Sequence, residues 1–64
     1  MNYYSLMIEL RDRDRDEILV RSHEEDEGKM LKDCVKKGQL TQEESDHVVE
    51  VRPSTKENYF FDVT

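Results

Sequence analysis

Tyr4, Leu6, Ile8 and Leu10 alternate with Tyr3, Ser5, Met7 and Glu9 near the start of the chain, and RDRDRDE follows directly at residues 11 to 17. Alternation with period two marks a strand with one buried face. Continued in phase, that strand would send Asp12, Asp14 and Asp16 into the core. Burying unpaired carboxylates is prohibitively costly, so the first strand must end near Leu10 or Arg11. EILVRS, residues 17 to 22, has the composition of a second strand, which makes 11 to 16 a hairpin connection. Pairing Leu10 with Ile18 and Ile8 with Val20 keeps the apolar residues on one face. The same register sets Arg11 opposite Glu17, a favourable cross-strand pair.

With 64 residues, the chain can form one domain at most, and a fold of that size buries only about 60% of the surface its unfolded form exposes. Disulfides, a structural metal or self-association usually assist such small folds. Cys34 is the only cysteine, so self-association is the aid left open. Charged residues make up 41% of the chain and hydrophobic ones 34%, a balance that leans toward disorder. Grouping of the apolar residues at 3 to 10, 18 to 20, 30 to 35, 48 to 51 and 59 to 63 tips it back toward a folded unit.

Downstream, Ser22-His23-Glu24-Glu25 has the S-x-x-E spacing of a capping box. Acids at 24 to 27, then Lys32, Lys36, Lys37 and Gly38, complement a helix dipole and supply a left-handed stop. The pattern predicts a helix over about 23 to 37 with an apolar stripe of Met30, Leu31, Cys34 and Val35, closed by Leu40. Gly28 weakens its first turn. Thr41-Gln42-Glu43-Glu44 repeats the capping spacing and predicts a helical turn at 42 to 46. The β-branched cluster in HVVEVR, residues 47 to 52, favours a third strand with Val49 and Val51 inward over an extension of that helix through 50. Pro53 ends the strand. In NYFFDVT, Tyr59, Phe61 and Val63 alternate as a fourth strand. The expected fold is α+β in the order ββαββ, a four-stranded antiparallel sheet with one helix on one face.

No catalytic or cofactor motif is present. Asp12, Asp14 and Asp16 have the spacing that opens a calcium loop, but Glu17 stands where that loop needs glycine, and His23 where it needs a bidentate glutamate. His23 and His47 have no nucleophile or orienting partner in the pattern. Cys34 falls on the helix stripe and fits a small core hydrophobe. Neither a metal nor a cofactor is expected.

Formal charge is -6, which argues against direct contact with nucleic acid, since phosphate binding draws on clustered Lys and Arg. A basic protein surface is the fitting partner, contacted through Glu24, Glu25, Asp26 and Glu27 together with Glu43, Glu44 and Asp46. A single covering helix would leave Tyr3, Met7, Leu19, Val48 and Phe60 on the open sheet face, a candidate interface with a partner or a second copy. The expected function is therefore a non-enzymatic protein-binding module. Small size, acidity and mixed α+β pattern are shared with inhibitors made by phages and mobile elements, anti-CRISPR and anti-restriction proteins among them. The alternative is a small host regulatory or structural protein acting as a homodimer. No stretch is long and apolar enough for a membrane span and no signal peptide is recognisable, so the expected location is the cytoplasm.

Overall fold

Strand β1, Asn2–Glu9, lies in the middle of the sheet, with β2, Arg15–Ser22, on one side and β3, Val48–Pro53, on the other, both antiparallel to it. The computed structural model describes residues 1–10 and 15–63, and within them the fold is α+β: this three-stranded sheet and three helices. Helix α1, Glu27–Lys36, follows β2; the short α2, Gln42–Asp46, precedes β3; α3, Lys56–Val63, ends the described chain.

The expected four strands and one helix are thus corrected to three of each. The alternation of Tyr59 and Phe61 predicts a strand over 58 to 64, yet Phe60 between them is equally apolar, so the run has no true period of two. Thr55 decides the outcome. Its hydroxyl accepts the Asn58 N–H at 3.2 Å and its carbonyl accepts the Tyr59 N–H at 3.0 Å, which starts a helix. Glu57 in the first turn suits the helix dipole.

The β1–β2 register also differs from expectation. Leu6 pairs with Ile18, Tyr4 with Val20 and Ile8 with Asp16. Expected and observed registers differ by an even step, so both keep the apolar residues on one face, and alternation cannot separate them. The observed ladder pairs the full length of both strands and begins at Arg15, inside the expected hairpin connection. Arg15 sits opposite Glu9, with Nε donating to the carboxylate at 3.2 Å. Glu17 faces Met7 rather than Arg11; Arg11, Asp12, Arg13 and Asp14 lie outside the described residues.

Strand β2 runs to Ser22, which rules out the capping box expected there. Ser22 is 1% exposed; its hydroxyl donates to Asp33 Oδ2 at 2.7 Å and accepts the Glu24 N–H at 3.1 Å, tying the strand end to α1. Asp26 is the N-cap instead, accepting the Lys29 N–H at 3.0 Å, and the helix spans 27 to 36 rather than 23 to 37. At its other end Gly38 has φ of 79°. Gln39 N–H then reaches Cys34 O at 2.8 Å and Gly38 N–H reaches Val35 O at 3.1 Å, a Schellman termination. The second expected capping box is present: Thr41 Oγ1 accepts the Glu44 N–H at 3.0 Å and Glu44 Oε1 accepts the Thr41 N–H at 2.8 Å.

Leu6, Ile8 and Val20 from the sheet pack with Met30, Cys34 and Leu40 to form the core, with Leu31, Val35, Val48 and Val51 around them. Burying each large apolar side chain contributes about 1.5–3 kcal/mol. Burial pushes the Cys34 thiol pKa up, with Asp33 adding to the shift, so the thiol stays protonated in the core. In β3, Met7 pairs with Glu50 but Ile8 with Val48, a bulge that skips Val49. Val48 and Val51 therefore both meet the core, while Val49, expected inward, is 56% exposed.

Candidate functional site

The face of the sheet away from α1 is not open, as a single covering helix would have left it. Tyr3, Met7 and Leu19 are on that face, half-buried. α3 crosses it: Tyr59 tilts against Tyr3 with ring centroids 5.5 Å apart, and Phe60 meets Tyr59 edge-on at 5.1 Å. The Arg21 guanidinium lies 5.4 Å from the Tyr59 ring and 5.9 Å from that of Phe60, fastening α3 to β2. Of the expected interface set, Val48 instead turns to the core, and Phe60 projects from the helix rather than from the sheet. Phe60 is 44% exposed and Phe61, expected inward, is 78% exposed.

Between α3 and the sheet runs a groove of about 360 Å³ lined by Ser5, Glu17, Leu19, Arg52, Asn58 and Phe61 among others. Ser5 Oγ donates to Glu17 Oε2 at 2.5 Å. Arg52 is bound through Nε to Glu50, which pushes its already high pKa further up. The groove brings a hydroxyl, a carboxylate and a guanidinium together, each already engaged within the fold.

The two expected acidic groups are not brought together. Glu24 sits at one end of β1, where Tyr4 OH donates to its carbonyl at 2.6 Å. α2 sits at the other, where Glu9 N–H reaches His47 O at 3.1 Å. Tyr4 and Glu9, which make these two contacts, stand about 16 Å apart along the strand. Asp26, Glu44 and Asp46 are spent internally: Asp26 caps α1, Glu44 closes the capping box, and Asp46 accepts from Gln42 at 2.9 Å. Among the described residues the ion pairs are Glu9 with Arg15, Asp33 with Lys37 and Glu50 with Arg52. Glu24, Glu25, Glu27 and Glu43 are exposed and take part in none of them. Beside the acidic end, Lys29, Lys32 and Lys36 form a ridge along α1 at helical spacing, a feature that composition alone conceals.

His47 Nδ1 lies 2.8 Å from Glu43 O at the end of α2, and His23 is exposed in the turn before α1. Among the described residues no three His, Cys, Asp or Glu side chains are grouped to hold a metal ion, and no helix is long and apolar enough to cross a membrane.

The sheet has two unequal edges. Backbone groups of Arg21 point away from β1, because Gln39 takes them up: its Oε1 accepts the Arg21 N–H at 3.0 Å and its Nε2 donates to Arg21 O at 2.8 Å. Gln39 owes this position to the Schellman turn at Gly38. By the alternation of an antiparallel ladder, Glu17 and Leu19 direct their backbone groups the same way, and among the described residues nothing takes these up. The β3 edge is blunted by the bulge at Val49 and by Pro53, which lacks an N–H. No family model, curated protein or solved structure matches the chain.

Proposed function

We propose that this chain is a non-enzymatic protein-binding module whose acidic end, around Glu24, Glu25 and Glu27 at the start of α1, docks on a basic protein surface. The observation that supports this reading is that these exposed carboxylates engage none of the ion pairs among the described residues while Asp26 among them is committed to capping. Uncommitted like charges on a small acidic fold steer encounters with a surface of opposite sign and impose little rearrangement on contact. A nucleic-acid-binding surface of another protein has the right charge, and small phage and mobile-element inhibitors act in this way.

The test is capture of partners from a lysate of the source organism, followed by association kinetics with whatever is recovered. Glu24→Gln, Glu25→Gln and Glu27→Gln together, with Asp26 left to cap α1, should slow association about tenfold and leave dissociation nearly unchanged. Association that is as fast and as salt-insensitive in the triple variant as in the parent would sink the reading.

A further inference from the structure

We propose that the β2 edge is a self-pairing surface, at which a second copy of this chain adds its own β2 antiparallel to the first. The idea is independent of the basic-partner reading and rests on the sequence of that edge. The backbone groups of Glu17 and Leu19 point outward without partners among the described residues, and those of Arg21 are covered only by one side-chain amide. Such an edge is a template for another strand.

Which strand fits follows from charge and alternation. With a twofold axis at Leu19, Leu19 faces its own copy and Glu17 faces Arg21 of the second copy, and the reverse contact follows by symmetry. On the other face of the sheet, Ile18 meets Val20 of the copy, so the apolar layer beneath α1 continues across the junction. Sliding the pair one ladder step sets Arg15 against Arg21 and Asp16 against Val20 in one direction, and Leu19 against Arg21 and Ile18 against Ser22 in the other. Sliding it two sets Glu17 against itself. Only the Leu19-centred register joins unlike charges and matches apolar residues without losing most of the overlap.

One further observation agrees. Phe60 and Phe61 are 44% and 78% exposed. The Phe60 ring lies 5.9 Å from the Arg21 guanidinium, and Phe61 lines the same groove as Leu19 and Glu17. At the same time Gln39 keeps Arg21 engaged in the monomer. Each Glu17 and Arg21 pair completes its backbone bonds once the Gln39 amide swings away. Gln39 thereby weakens the assembly and keeps it reversible. The product is a continuous six-stranded sheet with both α1 helices on one face.

Sedimentation equilibrium of the full chain tests this. The parent should dimerise in the upper micromolar range. Glu17→Arg and Arg21→Glu each set like charges together twice and should raise the dissociation constant about tenfold, while the double variant restores it. Gln39→Ala should tighten the dimer several-fold. Circular dichroism confirms that each variant is folded. Restoration by the double variant cannot arise from loosened folding, because it carries both local losses. A parent that stays monomeric, single variants that leave the dimer intact, or a double variant that stays dissociated would each overturn the proposal; the first would leave the edge to a strand from a different protein.

Discussion

On the α1 side of the sheet, Leu6, Ile8 and Val20 meet Met30, Cys34 and Leu40 with almost no contact with solvent. On the α3 side, Tyr3, Met7 and Leu19 are half-buried, and the helix above them leaves Phe61 78% exposed. The same three strands make both faces, so the difference lies in what each helix brings. α1 is ten residues long, capped by Asp26 and stopped by Gly38, and puts Met30 and Cys34 one turn apart on a single apolar stripe. α3 has eight residues and three adjacent aromatics that no single stripe can collect, and it attaches through ring contacts and one guanidinium. Stability resides on the first face; the second is a lighter attachment beside an unpaired edge.

The contrast breaks first at the core. Leu6→Ala should cost about 3 kcal/mol, comparable with what a core this small supplies in total, and should leave the chain largely unfolded at room temperature. Leu19→Ala, on the same sheet but the other face, should lose less than half as much. Urea melts followed by circular dichroism measure both. Equal losses would mean that the two faces carry equal shares.

Next in size is the polar tie at the margin of the core. The Ser22 hydroxyl, more than Lys37 and Lys36, holds the Asp33 carboxyl below its ordinary value of 3.8, against a partial desolvation that acts upward. A folded pKa below the unfolded one means that the stabilisation is fully present above the ordinary value and is lost as pH falls through it toward the folded one. Ser22→Ala and Asp33→Asn should therefore narrow the stability gap between pH 7 and pH 3 relative to the parent, and the two together should narrow it no further than Asp33→Asn alone, since Lys37 and Lys36 still act on Asp33 in Ser22→Ala. Thermal melts across that range provide the check, and an unchanged gap in both variants would contradict the assignment.

How much of this could be read from sequence depends on how local the determining interactions are. The α1 stripe, the Gly38 stop and the Thr41 box each rest on residues within a turn or two of one another, and all are present as expected. The face assignment of β1 holds for the same reason, since alternation is a property of one strand. Ladder register is not local: an even shift leaves every side chain on its face, so nothing in residues 2 to 22 distinguishes Leu6 opposite Ile18 from Leu10 opposite Ile18. Val48 takes the inward place expected of Val49, because a bulge is invisible until two strands are paired. In α3 the Thr55 cap outweighs the alternation of Tyr59 and Phe61. Of the acidic residues, Glu24, Glu25, Asp26, Glu27, Glu43 and Asp46 are exposed and Glu44 is half-buried, and the sequence could not show that they lie toward opposite ends of β1. The plug at the β2 edge was beyond reach, because it needs the Schellman turn, the register and the Gln39 side chain together.

The smallest effects belong to α3, and they separate attachment from exposure. Tyr59→Ala removes the ring that contacts Tyr3, Phe60 and Arg21 at once; losing such contacts should cost about 1 kcal/mol and free α3 from the sheet. Phe61→Ser, at 78% exposure, should stay within about 0.5 kcal/mol of the parent. Amide hydrogen exchange distinguishes a detached helix from a generally weakened fold. In Tyr59→Ala, protection should fall along residues 56 to 63 while β1 and α1 exchange as slowly as the small loss of global stability allows. If the Tyr59 substitution instead lowered protection in α1 as much as in α3, the two faces would form one cooperative unit, and α3 would be part of the core rather than its cover.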